Sequence, residues 1–208
     1  MEHLINSEER VIGLSRREPA DLKVSFISLD LIDGQSCSRC VESDLTQTTH
    51  LVYAALYEKP GLIAGWQEAD QMATNLTMLQ NILEPLRHSE ALRHITLLQG
   101  TKAYGAHVEP MKIPGLEREP RHPHENFYWL QEDYLADFCH ATGRSMTIWR
   151  PQIIFGHALN APMNMLNAIG VYAAIMQARG LPLIYPGGPS AVTEAIDADL
   201  LEIGRAHV

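Results

Sequence analysis

The hydrophobic residues of the chain alternate between short apolar runs and longer segments in which they recur at helical spacing. Helical periodicity lies around residues 66–88, 128–141 and 162–179. Near-continuous apolar strands separated by helices predict βαβ units and a parallel sheet covered on both faces. Right-handed crossovers then give a doubly wound α/β fold. The predicted strands are 11–14, 24–29, 50–56, 95–98 and 146–149.

A pair of arginines follows the first predicted strand. Ligands of doubly wound sheets bind beyond the carboxyl ends of the strands, so the residues at these ends are the first functional candidates. Ser15, Arg16 and Arg17 occupy that position. Adjacent arginines can bind a phosphate by charge-assisted, bidentate hydrogen bonds. From these residues alone, two charges in a solvated loop remain the simpler interpretation.

The ends of the next two strands carry an acidic and two small residues. Asp30, with Leu31 after it, could hold an adenine amino group and cover the ring. Ala54 and Ala55 would let a cofactor approach the backbone closely. Each of these signals is weak when taken alone.

Lys102 and Tyr128 are the candidate catalytic residues. Lys102 follows the fourth predicted strand, and Tyr128 lies in the stretch NFYWLQED, residues 126–133. A tyrosine O–H can stabilise negative charge that develops on a substrate oxygen during a reaction. A nearby ammonium favours phenolate character and eases proton transfer. The alternative for Tyr128 alone is an aromatic core residue of a helix.

Composition and charge exclude several classes of protein. A length of 208 residues fits one domain, or one domain with a small appendage. The net charge of -9 argues against a nucleic-acid partner. No apolar stretch long enough to span a membrane and no signal peptide is recognisable, so we expect a cytoplasmic protein. The low cysteine count also fits a reducing compartment, and the Cys37–Cys40 spacing lacks the second pair that a zinc site needs.

The proline-rich segment 105–125 predicts a long loop. Its histidines, His107, His122 and His124, have no regular spacing, which disfavours a metal site. A loop of this length over the carboxyl edge of a sheet is better explained as a wall of the substrate site.

Four spaced motifs reveal a family resemblance. TKAYG, NFYWLQED, WRPQIIFG and NMLNAIGVYAAI begin at residues 101, 126, 149 and 164. Together they resemble the progesterone 5β-reductase/iridoid synthase-like branch of the short-chain dehydrogenase/reductase superfamily, over residues 11–200. The resemblance implies a Rossmann-like fold, NADPH as cofactor and reduction of the carbon–carbon double bond of an activated enone, a small-molecule substrate.

The resemblance also assigns the two catalytic candidates. Tyr128 matches the tyrosine of the family motif NFYY, with Trp129 replacing the second tyrosine. Lys102 matches the lysine of the motif TGxKHY, with Ala103 where histidine is common. Ordinary members of the superfamily use YxxxK, in which the lysine follows one helical turn after the tyrosine. Glu132 occupies that position here, so Lys102 is the expected substitute.

The resemblance implies further cofactor contacts. It makes Arg16 and Arg17 ligands of the 2′-phosphate, which is why NADPH rather than NADH is expected. The remaining cofactor-binding residues implied are Ser15, Asp30, Leu31, Ala54, Ala55 and Gln99, with Ile154, Ala161, Pro162 and Met163 along the nicotinamide side.

Both ends of the chain differ from the family pattern. We expect residues 1–150 to form a partial NADP-binding domain without the first strand and its GxxGxxG turn, and 151–201 to begin the substrate-binding region. The string EIGRAHV, residues 202–208, is what a common sequencing-adapter sequence encodes in frame, so we expect a non-native tail. A chain truncated in this way is expected to fold poorly or to bind NADPH weakly.

Two other functions remain open from the sequence. One is a carbonyl reductase or a sugar-nucleotide epimerase or dehydratase of the same superfamily, against which Glu132 in place of the YxxxK lysine argues. The other is a non-catalytic dinucleotide-sensing protein, which would need neither Tyr128 nor Lys102. The oligomeric state is also open, and a homodimer is one outcome.

Overall fold

The computed structural model describes residues 10–18, 24–59, 66, 68–156, 164–185, 187–188 and 192–201. The chain divides after Arg150 into two compact units, each described separately below.

The larger unit alternates strands with helices. Its strands are β1 (Ile12–Ser15), β2 (Ser25–Ser28), β3 (His50–Tyr53), β4 (His94–Leu98) and β5 (Ser145–Trp149). Its α-helices are α1 (Gly34–Asp44), α2 (Ala69–Leu83) and α3 (Phe127–Thr142). Two short 3₁₀ helices, Glu84–Leu86 and Thr101–Tyr104, follow α2 and β4.

All described strand pairs of this unit are parallel. β1 pairs with β2, and a separate three-stranded sheet has the order β3–β4–β5. Its register places Leu51 opposite Ile95 and Ile95 opposite Met146. The carboxyl ends of its strands therefore lie at one edge, which brings the residues after β4 and β5 together.

The helices cover one face of the three-stranded sheet. α2 and α3 are crossovers between consecutive parallel strands, and right-handed crossovers in one direction place their helices on the same face. α2 packs against both α1 and α3. Val52 on β3 is 41% exposed.

The hydrophobic core lies between these helices and the strands. Burying one such aliphatic or aromatic side chain contributes about 1.5–3 kcal/mol. α2 supplies Leu79 and Leu83, which are one helical turn apart and fully buried. Its central members are Leu51, Tyr53, Leu79, Ile82, Leu83, Leu86, Ile95, Leu97, Leu135 and Phe138.

The hydrophobic pattern identifies most of these elements correctly. All five predicted strands and the helices at 66–88 and 128–141 are confirmed, although β3 ends at Tyr53 rather than at Leu56. α1 was not predicted, because Cys37, Cys40 and Val41 are its only buried residues and the rest is polar. Asp33 begins this helix by accepting the backbone N–H groups of Gln35 and Ser36.

The second unit contains two more parallel strands and one helix. β6 (Ile153–Phe155) pairs with β7 (Ala195–Asp197), and neither strand was predicted. α4 (Met165–Ala178) confirms the helical pattern at 162–179 as far as the described residues extend. Although this helix is strongly apolar, none of its residues is buried.

Candidate active site

Tyr128 lies in the first turn of α3. The helix begins at Asn126, whose side-chain Oδ1 accepts the backbone N–H of Tyr128 at 3.0 Å. The ring of Tyr128 packs edge-on against Trp66, with 5.2 Å between ring centroids, and also against Phe127. The ring is therefore held by aromatic packing and its backbone by the helix cap.

Lys102 lies in the 3₁₀ helix Thr101–Tyr104, directly after β4. Its ammonium group lies 3.7 Å above the centroid of the Trp66 ring, a cation–π contact. The Nζ atom is also 3.6 Å from Oε1 of Glu58. Burial lowers the pKa of Lys102 below its usual value, and the carboxylate of Glu58 opposes this shift.

Asn126 connects the two candidate catalytic residues. Its Nδ2 donates to the backbone carbonyl of Lys102 at 2.8 Å, while its Oδ1 accepts the backbone N–H of Tyr128. One buried amide thus fixes the start of α3 and the 3₁₀ helix relative to each other. Residues 26 positions apart in the sequence are placed together in this way.

Glu58 is fixed in place by its two neighbours. The backbone of Tyr57 forms two hydrogen bonds with the side chain of Asn75, at 2.9 and 2.8 Å, and Lys59 donates its backbone N–H to Gln71 at 2.9 Å. Both amides are fully buried on α2. The carboxylate of Glu58 accepts the indole N–H of Trp66 at 2.7 Å.

The surroundings keep Tyr128 protonated. Burial raises the pKa of its hydroxyl well above the usual value, and the negative charge of Glu58 raises that pKa further. Among the described residues the Lys102 ammonium lies against Glu58, and the shift of the Tyr128 pKa comes from burial and Glu58, so these contacts do not support the expectation that Lys102 confers phenolate character on Tyr128. The arrangement instead supplies a neutral O–H donor, which suits a hydrogen bond to a developing oxyanion.

Glu132, at the position of the YxxxK lysine, is bound to Arg150. The Nη2 of Arg150 donates to Glu132 Oε2 at 2.6 Å, and Arg121 approaches the other oxygen at 3.2 Å. The Nε of Arg150 donates to Gln99 Oε1 at 3.1 Å, and Gln99 Nε2 donates to the backbone carbonyl of Tyr128 at 3.0 Å. Both polar ends of Gln99, predicted to contact the cofactor, are used within the protein.

The arginines predicted to bind phosphate lie in an exposed turn after β1. The hydroxyl of Ser15 donates to the carbonyl of Arg17 at 2.7 Å and accepts its backbone N–H at 3.1 Å. The side chains of Ser15, Arg16 and Arg17 are exposed. The backbone of this turn is thus ordered while its side chains face solvent.

The remaining predicted cofactor contacts lie at strand ends. Asp30 is exposed, and its Oδ1 accepts the backbone N–H of Ile32 at 3.0 Å. Leu31 and Ala55 pack against the core, and Ala54 is exposed. The other four predicted contacts fall elsewhere. Ile154 lies on β6 of the second unit and is 41% exposed. Ala161, Pro162 and Met163 lie outside the described residues.

The loop between the 3₁₀ helix and α3 forms one side of a cavity. The cavity has a volume of about 420 Å³, and the loop contributes Met111, Lys112 and residues up to Pro123. Tyr104, Trp129, Glu132 and Arg150 line the other side. Neither Lys102 nor Tyr128 lines this cavity.

The loop histidines form hydrogen bonds with each other and with Asn126. The Nδ1 atoms of His122 and His124 are 2.7 Å apart, and His124 Nε2 is 3.0 Å from Asn126 Nδ2. Among the described residues, no group of three or more His, Cys, Asp or Glu side chains is arranged to hold a metal ion.

The CxxC cysteines are buried and free. Cys37 and Cys40 lie on α1, and burial raises the pKa of the Cys37 thiol to about 11. A thiol that stays protonated is a poor nucleophile and metal ligand.

Sequence reasoning missed three residues of this site. Glu58 lies in a segment without regular periodicity, and Trp66 is the first residue of the predicted helical segment 66–88. Only the tertiary structure brings them to Lys102. Asn126 had a recognisable signal, because asparagine directly before an apolar helical segment is a preferred N-cap. Within the described residues, no helix combines the length and the apolar character needed to cross a membrane.

Comparison with known proteins identifies relatives of the whole site region. The chain is 30% identical over 208 residues to (S)-8-oxocitronellyl enol synthase of Antirrhinum majus, a match that covers 92% of this chain and 51% of that protein. It is 32% identical over 209 residues to 3-oxo-Delta(4,5)-steroid 5-beta-reductase of Arabidopsis thaliana, with the same coverage. The chain thus spans about half the length of the curated relatives it matches. No protein-family model matches it.

Solved structures confirm the fold. UDP-glucose 4-epimerase of Thermus thermophilus, in complex with NAD, matches with a TM-score of 0.73 at 18% identity, covering 99% of this chain and 68% of that one. The Bordetella bronchiseptica enzyme WbmG, in complex with NAD and UDP, matches with a TM-score of 0.68 at 18% identity, covering 98% and 62%. The predicted Rossmann-like α/β fold is confirmed by these likenesses.

Proposed function

We propose that this protein is an NADPH-dependent enone reductase. Its chain resembles the progesterone 5β-reductase/iridoid synthase-like branch of the short-chain dehydrogenase/reductase superfamily, as its motifs indicated and its relatives bear out. The reaction is reduction of the C=C bond of a small activated enone. The observation that carries the proposal is the placement of Tyr128 and Lys102 on the single amide of Asn126.

The predicted dinucleotide contacts support this cofactor. Arg16 and Arg17 are exposed at the carboxyl end of β1, and the Ser15 hydroxyl orders the turn that carries them. Guanidinium groups there suit a phosphate, which favours NADPH over NADH. When bound, NADPH supplies the hydride that adds to the β-carbon of the enone.

Tyr128 stabilises the negative charge that this addition creates. The electron pair of the C=C bond moves toward the carbonyl, and the oxygen becomes an enolate. Because burial and Glu58 raise the pKa of Tyr128, its hydroxyl remains a donor and forms a hydrogen bond to the enolate oxygen. A proton from solvent then adds to the α-carbon and completes the saturated ketone.

Lys102 acts beside Tyr128 rather than as its direct partner. Within the described residues, no hydrogen bond joins the Lys102 ammonium to the Tyr128 hydroxyl, and Lys102 instead contacts Glu58 and the face of Trp66. Its positive charge offsets the Glu58 carboxylate close to the site of enolate formation. Glu132 cannot replace it, because its carboxylate is bound by Arg150.

The experiment that tests the proposal follows the product formed from NADPH and a small cyclic enone. It uses the 208-residue chain. Tyr128→Phe removes the donor, and we expect a loss of kcat of roughly a hundred- to a thousand-fold with NADPH binding unchanged. Tyr134→Phe is the matched control, because that hydroxyl lies on the same helix and donates to Glu84 at 2.7 Å.

The product separates the alternatives. A saturated ketone, lost with Tyr128→Phe and retained with Tyr134→Phe, supports conjugate reduction. An allylic alcohol would instead indicate a carbonyl reductase of the same superfamily. NADPH binding without turnover of any enone or ketone would favour a dinucleotide-sensing protein.

A further inference from the structure

A line of hydrogen bonds runs from the loop surface to the two candidate catalytic residues. Glu109 Oε1 is 3.0 Å from His122 Nε2, His122 Nδ1 is 2.7 Å from His124 Nδ1, and His124 Nε2 is 3.0 Å from Asn126 Nδ2. Asn126 then binds the backbones of Lys102 and Tyr128. None of these histidines has a role in the chemistry described above.

The hydrogen bonds determine the protonation state of both rings. Asn126 Oδ1 accepts a backbone N–H, so its Nδ2 is the donor, and His124 Nε2 must be an unprotonated acceptor. His122 Nδ1 accepts the backbone N–H of His124 at 3.3 Å, so the short contact between the Nδ1 atoms requires the proton on His124. His122 then carries its proton on Nε2 and donates it to Glu109. Both rings are neutral in this arrangement.

An additional proton cannot be accommodated without breaking one link. A proton on His124 Nε2 would face the Nδ2 donor of Asn126, and a proton on His122 Nδ1 would face the Nδ1–H of His124. In the second case the repulsion between the two Nδ1–H groups ends only if the His124 proton moves to Nε2, where it faces the Nδ2 donor of Asn126. Both cases therefore break the hydrogen bond between Asn126 Nδ2 and His124 Nε2.

The packing around His124 favours its neutral form. His107 packs edge-on against His124, at 4.8 Å between ring centroids, and Lys102 lies on the adjacent 3₁₀ helix. Gly105 has φ of +78°, and a Cβ there would lie 2.7 Å from the ring of His122, so the loop is closely packed on this side. The carboxylate of Glu109 is the one negative group in the line, and it is largely exposed.

We propose that Asn126 is a positioning residue for Tyr128 and Lys102, and that neutral His124 holds its amide in the orientation that this requires. The inference rests on the proposed function, in which Tyr128 and Lys102 are the catalytic pair. The Nε2–H of protonated His124 repels the Nδ2 group of Asn126, so that the hydrogen bond from Nδ2 to the carbonyl of Lys102 is lost. The reaction then slows at low pH even though neither catalytic residue titrates there.

The direction of the pH effect follows from burial. Burial first, and the neighbouring His122 second, lower the pKa of His124 below its usual value, although hydrogen bonds with the Lys102 and His122 backbones oppose this shift. The neutral ring therefore persists below the pH at which a free histidine protonates. The positioning effect is complete above the usual histidine pKa and is lost as pH falls through the lowered one.

The first test is independent of activity and uses NMR of the 208-residue chain. Nitrogen-15 shifts are expected to show His124 as the Nδ1–H tautomer and His122 as the Nε2–H tautomer. The side-chain amide protons of Asn126 should shift with the same midpoint as His124. An Nε2–H tautomer of His124, or an Asn126 amide that does not follow its titration, would overturn the proposal.

The second test uses two histidine variants and the pH profile of kcat/KM. In wild type, kcat/KM falls about tenfold per pH unit below the pKa of His124. His124→Gln retains an acceptor but cannot titrate, so the acid limb should disappear. His140→Gln changes an exposed histidine on α3 and should retain the limb. Persistence of the limb in His124→Gln contradicts the proposal.

Asn126→Asp separates positioning from helix capping. Aspartate caps a helix as well as asparagine does, but both Nδ2 donors are lost and the buried carboxylate faces the carbonyl of Lys102, so the melting temperature should fall and kcat is compared below it. We expect kcat to fall roughly tenfold or more with the KM for NADPH unchanged, and the pKa of His124 to rise beside the new carboxylate. Wild-type kcat in this variant would contradict the proposal.

Different results would contradict the catalytic role of Tyr128 and the positioning role of Asn126 and His124. Retained turnover in Tyr128→Phe removes the proposed catalytic role and leaves the tautomers and the Asn126 titration to be judged by NMR. Loss of turnover in Tyr128→Phe together with the wrong His124 tautomer removes only the role of Asn126 and His124.

Discussion

Arg150 Nη2 donates to Glu132 Oε2 at 2.6 Å, and both side chains are largely buried. Glu132 stands one helical turn after Tyr128, where the superfamily's YxxxK motif has its lysine. Arg150 follows β5 and brings its guanidinium to the glutamate across the carboxyl edge of the sheet. Glu132 is therefore held in an ion pair with Arg150, and the positive charge near Tyr128 comes instead from Lys102 at the end of β4.

This ion pair predicts the effect of changing Glu132. Glu132→Gln keeps the size of the side chain but removes its charge, and the free energy of unfolding should fall by roughly 1–3 kcal/mol, the usual value of a hydrogen bond to a charged group. Glu132→Lys places three cations together with Arg121 and Arg150 and should cost more, about 3–5 kcal/mol. Urea unfolding measures both losses.

The control for Glu132 is Asp137→Asn, an exposed carboxylate on the same helix. It should change the stability by less than about 0.5 kcal/mol. If Glu132→Lys proved as stable as wild type and more active, the position would still serve as in YxxxK, and our interpretation of Lys102 would be contradicted.

Glu58 predicts a linked change in the pKa values of Tyr128 and Lys102. Its carboxylate raises both values, so Glu58→Gln should lower both. The amide oxygen can still accept the indole N–H of Trp66, so the packing should be retained. Carbon-13 NMR of the tyrosine and lysine side chains measures the two shifts.

Glu68→Gln is the matched control for Glu58. Glu68 lies ten residues away and pairs with Lys59 rather than with Lys102. It should leave the pKa values of Tyr128 and Lys102 unchanged. Equal shifts in the two variants would mean that Glu58 acts only through general charge and not through its contact with Lys102.

The exposed arginines after β1 predict a preference for the phosphorylated cofactor. The double change Arg16→Ala and Arg17→Ala should weaken NADPH binding roughly tenfold or more, since a lost charge-assisted contact is worth about 1.5–3 kcal/mol. NADH lacks the 2′-phosphate and should bind with nearly unchanged affinity. Fluorescence titration with both cofactors gives the two Kd values.

Arg118→Ala, a change in the loop between Tyr104 and Asn126, is the control for this pair. It should alter neither Kd. An equal loss of NADPH and NADH affinity in the double variant would show that the turn itself, and not the guanidinium charge, was needed.

The sequence predicts the elements of this fold wherever the apolar pattern is long enough. β1 to β5, α2, α3 and α4 have such patterns, although no residue of α4 is buried. α1 buries only Cys37, Cys40 and Val41 in an otherwise polar segment, which is too short a pattern to predict a helix, and β6 and β7 were not predicted. Lys102 and Tyr128 were recognisable from their motifs. Glu58 and Trp66 were not. Asn75 and Gln71 of α2 bind the backbones of Tyr57 and Lys59, on either side of Glu58. The contacts of Glu58 and Trp66 with Lys102 depend on tertiary packing, which the spacing of residues along the sequence does not reveal.

Glu84 predicts how stability depends on acid. Hydrogen bonds from Arg87 first, and from Tyr134 as well, lower the pKa of Glu84 below its ordinary value of 4.5. A carboxylate with a lowered folded pKa stabilises the fold above its unfolded pKa, and this contribution is lost as pH falls through the folded value. Wild type should therefore lose stability more steeply than Glu84→Gln between about pH 5 and about pH 3. Urea midpoints across this range measure the difference, with Glu90→Gln, an exposed loop glutamate, as the control. Parallel pH profiles of wild type and Glu84→Gln would show that the contact of Arg87 and Tyr134 with this carboxylate contributes nothing to folding.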